Sequence, residues 1–126
     1  MTAALGSYLN EWSKLNLRFD AILSGYLSSP EQIGITSEFA GNFLAEDGIF
    51  ILDPVMGDNG IRYVTYTDEM CAATRRLTET ADVITPNLTE ACILLDMPYD
   101  RQKTEAELCA MAKKLSKLCK GLVFIT

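Results

Sequence analysis

A chain of 126 residues, 48% of them hydrophobic, is long enough to bury one core of its own. Its formal charge of −6 argues against a general binder of nucleic acid or anionic membrane, and no apolar run reaches the roughly 18 residues that a membrane span needs. The complete lack of histidine excludes Ser-His-Asp triads, Cys-His dyads and His-ligated zinc within the chain, so its chemistry rests on carboxylates, hydroxyls, backbone amides and metal ions.

In chain order, Leu5, Tyr8, Leu9, Trp12 and Leu15 share one face at helical spacing and predict a first helix. Its start, MTAALGSYLNEWSKL, lacks a basic segment followed by an apolar one and does not read as a signal peptide. A short strand, Ala21-Ile22-Leu23, ends at Ser24-Gly25-Tyr26. Ser29 caps the next helix, with Pro30 at its first position and Gln32 completing a capping box. Ile33, Ala40, Phe43 and Leu44 are its apolar positions, and Gly48 follows its end. Ile49-Phe50-Ile51-Leu52 is a continuous apolar run, as in strands buried on both faces. After the loop 53–60, the β-prone stretch 61–65 is a short excursion. Thr67 caps a helix running to about Leu77, and Val83-Ile84 is a third strand. Asn87 caps the helix that carries Glu90, Ile93, Leu94 and Leu95. Thr104 and Glu107 form a capping box on the last helix, whose buried stripe is Leu108, Met111, Ala112, Leu115 and Leu118. Its trailing Lys113, Lys114, Lys117 and Lys120 suit the helix dipole and a solvated face. Gly121 is the expected residue beyond its end, and 122–125 a fourth strand.

Helices and strands alternate, and each crossover can hold a helix. The expectation is one α/β unit of three layers, α/β/α, with a mainly parallel sheet covered on both faces. Ligands in such sheets bind at the carboxyl ends of the strands. Ser24-Gly25-Tyr26, Asp53-Pro54, Thr85-Pro86-Asn87 and Thr126 should therefore meet at one edge. The four cysteines, Cys71, Cys92, Cys109 and Cys119, contain no C-x-x-C pair and are expected to be reduced, buried thiols of a cytoplasmic protein.

Two segments have two readings each. Asn87-Leu88-Thr89-Glu90 is either a capping box without a ligand or a phosphate-binding helix start with a carboxylate near Mg²⁺. Asp53-Pro54-Val55-Met56-Gly57-Asp58-Asn59-Gly60 is either a turn-rich loop or a cation site. Turn chemistry explains Asp58-Asn59-Gly60 but not an acid directly after an apolar strand. Tyr26 is either a core aromatic or a ring that stacks on a ligand.

The segment 53–60 with Arg62-Tyr63-Val64, the segment Ala81 to Ala91, and Ser24-Gly25-Tyr26-Leu27 together resemble pyridoxal (pyridoxine, pyridoxamine) kinases of the ribokinase-like superfamily. Asp-Pro-Val-Met and Thr-Pro-Asn-x-x-Glu also occur in hydroxymethylpyrimidine kinases of thiamine synthesis, a sister family. Gly57-Asp58 with Tyr63, and the Ser-Gly-Tyr segment, favour the pyridoxal kinases. The resemblance implies transfer of the γ-phosphoryl of ATP to the 5′-hydroxymethyl of a B6 vitamer. It implies that Asp53, Asn87 and Glu90 belong to the ATP site, with Glu90 beside Mg²⁺. Asp58, Thr85 and Thr126 match positions around a divalent cation or a monovalent one, K⁺ or Na⁺. Tyr26 matches an aromatic near the pyridoxal ring. Homodimers are common in the family.

The resemblance implies that residues 1–126 are the central part of a single ribokinase-like domain, without its N- and C-terminal portions. The family's Gly-x-Gly-Asp motif, whose Asp is the general base, is not in the chain. The isolated chain is therefore expected to be inactive as a kinase. A different class of reading is a non-catalytic kinase remnant that binds nucleotide or metal. Retention of Asp53, Asp58, Thr85, Asn87 and Glu90 together speaks against it.

Overall fold

The computed structural model describes residues 2–126. Its elements are α1 (Thr2–Lys14), β1 (Phe19–Ser24), α2 (Pro30–Phe43), β2 (Leu44–Leu52), β3 (Gly57–Asp58), β4 (Ile61–Arg62), α3 (Asp68–Thr78), β5 (Val83–Ile84), α4 (Leu88–Leu95), α5 (Glu105–Leu115) and β6 (Leu122–Val123). Four strands form a sheet in the order β1-β2-β5-β6, and each neighbouring pair is parallel. The α/β architecture with a parallel sheet is the one expected.

The pleat sends alternate residues to opposite faces. One cross-strand row, Ser24, Leu52, Ile84 and Val123, faces the helices. Leu52 is 1% exposed there and Ile84 is fully buried. The next row, Leu23, Ile51, Val83 and Leu122, lies on the other face. Leu23 is 73% exposed and Leu122 is 61% exposed. The helices pack as one run of neighbours, α1 on α2, α2 on α3, α3 on α4 and α4 on α5. Strands that follow one another across a sheet, with crossovers of a single hand, put their helices on one side. Among the described residues, helices cover one face only, so the expected cover on both faces is half built.

Helix starts match the sequence better than helix ends. The Ser29 hydroxyl accepts from the Gln32 N–H, and Thr67 does the same for Met70. Gln32 reaches past the cap, its Oε1 accepting from the Ser28 N–H and hydroxyl. Helix α2 stops at Phe43 and β2 begins at once. Gly48 thus sits inside β2, where the pairing jumps from Phe19↔Leu44 to Ala21↔Ile49. A Cβ there would stand 2.9 Å from the Phe19 carbonyl oxygen. Gly121 is not the cap of α5, which ends at Leu115 with Ser116 as its cap. It enters β6 against Asp82, whose carbonyl oxygen a Cβ would approach to 2.7 Å. Leu118 lies beyond the helix and is half-buried, as are Leu108 and Ala112, while Met111 and Leu115 are buried. The four lysines are exposed as expected.

One further expectation, that of four buried cysteines, is corrected below. The apolar face of α1 is mostly exposed. Trp12 packs on Phe19 and Phe39, but Leu5, Tyr8 and Leu15 remain open, because α1 has only α2 beside it at the end of the helix row. Of the cysteines, Cys92 is buried, Cys71 and Cys119 are half-buried and Cys109 is exposed, since Cys109 lies on the outer side of α5.

Candidate functional site

The carboxyl ends of the strands are held level by backbone bonds that continue past the strands. Asp53 N–H donates to the Ser24 carbonyl at 2.9 Å, Thr85 N–H to Leu52 at 3.1 Å and Thr126 N–H to Pro86 at 3.0 Å. Parallel pairing therefore delivers an acid, a hydroxyl and a second hydroxyl to one edge. A cleft of about 410 Å³ opens there, lined by Asp53, Val55, Asp58, Tyr63, Thr85, Asn87, Glu90 and Thr126. All six residues expected at the nucleotide and cation sites share it. Two hollows of similar size lie elsewhere, one along α1 and α2 and one beside β2, but neither gathers carboxylates and hydroxyls in this way.

Tyr26 does not line this cleft. It is 51% exposed, its ring centre lies 6.0 Å from that of Tyr66, and its hydroxyl is 3.3 Å from the Thr65 hydroxyl. Tyr66 is the buried partner, bonded to the Leu27 carbonyl at 2.8 Å. Tyr63 and Val55 were not singled out as site residues, yet both line the cleft. Their signal was faint, since Tyr63 stood out only as part of a motif.

The loop between β2 and β4 is a hairpin. Asn59 and Gly60 have φ of 48° and 79°, the two left-handed positions of a tight two-residue turn. The turn reading of 58–60 is therefore correct. Asp58 accepts from the Asn59 N–H at 2.8 Å and from its side-chain amide at 2.9 Å, and remains exposed.

Helix α4 grips this loop. Asn87 Oδ1 accepts from the Glu90 N–H and Glu90 Oε2 accepts from the Asn87 N–H, so the capping box is real. Asn87 Nδ2 also donates to the Gly57 carbonyl at 2.8 Å, and Glu90 Oε1 accepts from the Met56 N–H at 3.0 Å. Glu90 is 2% exposed. Burial pushes its carboxyl up from the ordinary value, against the opposing pull of the Asn87 and Met56 N–H groups. Partial burial also raises Asp53.

Among the described residues, no three His, Cys, Asp or Glu side chains converge as a metal-binding group. The oxygen-bearing side chains that line the cleft include Asp53, Asp58, Thr85 and Thr126. Such a set fits Mg²⁺, which binds one or two carboxylates and completes its shell with phosphate oxygens and water. No helix among the described residues is long and apolar enough to cross a membrane.

Comparison with known proteins identifies the family and the fold. The pyridoxine kinase of Bacillus subtilis is 35% identical over 109 residues, which is 85% of this chain and 38% of that protein. A Bacteroides thetaiotaomicron protein, given provisionally as a phosphomethylpyrimidine kinase, superposes with a TM-score of 0.90 at 45% identity, over 94% of this chain and 41% of that one. A second crystal form of it contains pyridoxal. Pyridoxal kinase from Lactobacillus plantarum superposes with a TM-score of 0.87 at 30% identity, over 99% of this chain and 44% of that one. An ADP complex of Bacillus subtilis pyridoxal kinase superposes with a TM-score of 0.62 at 31% identity, over 79% of this chain and 34% of that one. The fold is thus the ribokinase-like one, and the chain spans about two-fifths of the length of these relatives. The family model described as phosphomethylpyrimidine kinase matches residues 13–126, and the chain belongs to that family of kinases.

Proposed function

We propose that these residues form the phosphate and cation side of an ATP-dependent kinase acting on the hydroxymethyl group of a B6 vitamer. The observation that carries this reading is the meeting of Asp53, Asp58, Thr85 and Thr126 in one cleft at the strand ends. The likeness to pyridoxine and pyridoxal kinases supports the substrate class, and the ADP complex of one of them supports the nucleotide. The family model's description, phosphomethylpyrimidine kinase, supports a second reading, a kinase of the hydroxymethylpyrimidine branch of thiamine synthesis.

Phosphoryl transfer depends on positioning and on neutralising charge at the phosphates. A bound Mg²⁺ supplies that neutralisation. In this chain Asp53 and Asp58 supply the negative oxygens that hold it, and the Thr85 and Thr126 hydroxyls add neutral donors. Asn87 and Glu90 shape the floor through backbone bonds. Tyr26, outside the cleft, is proposed to border the acceptor ring from the neighbouring loop.

The same reading makes 1–126 the central part of one ribokinase-like domain. The exposed apolar row of Leu23 and Leu122, and the 41% coverage of the Bacteroides protein, support this. No Gly-x-Gly-Asp occurs in the chain, so the base that takes the substrate proton is supplied from outside it.

The test is a coupled ATP-consumption assay on the 126-residue chain and on the Bacteroides protein with this chain in place of its matching segment. The chain alone should show no turnover. The chimera should phosphorylate pyridoxal or its relatives, and Asp53→Ala in it should lower kcat by at least about tenfold. Pyridoxal-dependent turnover by the chain alone overturns the assignment of the base, and a chimera that prefers hydroxymethylpyrimidine overturns the substrate.

A further inference from the structure

The acid loop is supported from one side. Strands β3 and β4 have two residues each, too short a hairpin to hold itself. Three contacts grip its base: Tyr63 N–H to the Met56 carbonyl at 2.9 Å, Met56 N–H to Glu90 Oε1, and Asn87 Nδ2 to the Gly57 carbonyl. None of them reaches the turn. Among the described residues, the only hydrogen bond from another element to the turn is Gly60 N–H to Thr89 Oγ1, at 2.8 Å. Thr89 is 4% exposed, so its hydroxyl lies out of a ligand's reach. The Tyr99 ring also lies close to the turn, since a Cβ at Gly60 would stand 2.6 Å from it.

We propose that Thr89 is a positioning residue that sets where the Asp58 carboxylate stands over the cleft, acting through the Gly60 N–H. Asp58 is two residues from the held amide; its backbone pairs with Ile61, and among the described residues its carboxylate bonds only to its neighbour Asn59. Without the Thr89 tie, the turn keeps only its short ladder and the Tyr99 contact, so it rocks more on its base and the exposed carboxylate moves with it. The same geometry separates Thr89 and Glu90 from the groups that meet a cation. Both oxygens of Glu90 are taken by backbone N–H groups, so Glu90 holds the loop and leaves the cation to Asp53 and Asp58. This inference rests on the cation reading of the cleft only in its second readout below.

The test uses the 126-residue chain, labelled with ¹⁵N, as wild type, Thr89→Val and Thr89→Ser. Valine keeps the shape and removes the hydroxyl; serine keeps the hydroxyl. The first readout is amide hydrogen exchange at Gly60. The second is Mn²⁺ titration, read as broadening of the Asp58 and Asn59 amides. Thr89→Val should speed Gly60 exchange about tenfold while leaving the amides of α3 unchanged, and should weaken Mn²⁺ binding severalfold. Thr89→Ser should restore both. Unchanged Gly60 exchange in Thr89→Val, or a serine variant that behaves like valine, overturns the proposal. A wild-type chain that binds no Mn²⁺ overturns the cation reading of the cleft, while Gly60 exchange still decides the role of Thr89.

Discussion

Glu90 is a carboxylate 2% exposed to solvent, held by two backbone N–H groups. A free glutamate gives up its proton near pH 4.3 and an aspartate near 3.9, by typical values of about that size. Burial raises both Glu90 and Asp53 above their ordinary values. Between the unfolded and folded values the folded chain binds more protons than the unfolded one, so stability falls as pH rises through that window and then levels. Thermal unfolding followed upward from about pH 4 should show this fall. Glu90→Gln should be less stable by about 1–3 kcal/mol, because an amide cannot accept from both N–H groups. Its profile should also be flatter, and an equally steep one would assign the fall to other acids. Gly60 makes a second demand on a single residue. Its φ of 79° and the nearby Tyr99 ring both oppose a side chain. Gly60→Ala should cost about 1–2 kcal/mol from the backbone alone. A double-mutant cycle with Tyr99→Ala should show coupling from the ring contact, and strict additivity would refute it.

Among the described residues, two helices start with a capping box, and only one of them touches the cleft. Thr104 and Glu107 cap α5 on the surface, and the Thr104 N–H and hydroxyl hold the Glu107 carboxyl below its ordinary value. Asn87 and Glu90 cap α4 and add bonds to Gly57 and Met56. Thr104→Ala should therefore cost the usual ~0.5–2 kcal/mol of a lost cap. Asn87→Ala should cost more, and should also perturb the 56–60 loop. Denaturant midpoints for the two variants check this, and equal losses would mean that the Gly57 bond contributes nothing. Both caps were legible as spacing. That one of them also anchors a loop some 30 residues away was not, because the partners are backbone groups that any sequence carries.

The whole molecule is a sheet with two unlike faces. Leu52 faces the helices at 1% exposure, and Leu23, in the next row, faces away at 73%. In the isolated chain Leu52→Ala should cost about 2–5 kcal/mol, and Leu23→Ala should stay within about 0.5 kcal/mol. An open apolar face should also bind a fluorescent apolar dye, and Leu23→Lys with Leu122→Lys should reduce that signal. A large loss of stability in Leu23→Ala would show that something in the chain covers this face. The apolar run 49–52 signalled a strand with apolar groups on both sides. It could not say which side this stretch of chain covers, because strand order decides that.

Sequence by itself indicated the four strands of the sheet, the starts of α2 to α5, turn chemistry at 58–60 and six of the eight residues that line the cleft. These follow from local rules: side-chain period, caps, turn chemistry and the placement of ligands at strand ends. Helix α2 ended earlier than the glycine at 48 suggested, and Gly121 served a close strand contact rather than a cap, because pairing partners distant in sequence set both. Only the tertiary structure decided that Tyr26 stands apart from the cleft and Tyr63 lines it. Only the tertiary structure showed, too, that Glu90 spends both oxygens on the acid loop and that Thr89 holds the turn. Those outcomes depend on where α4 docks against a loop from another part of the chain, and no local spacing records that distance.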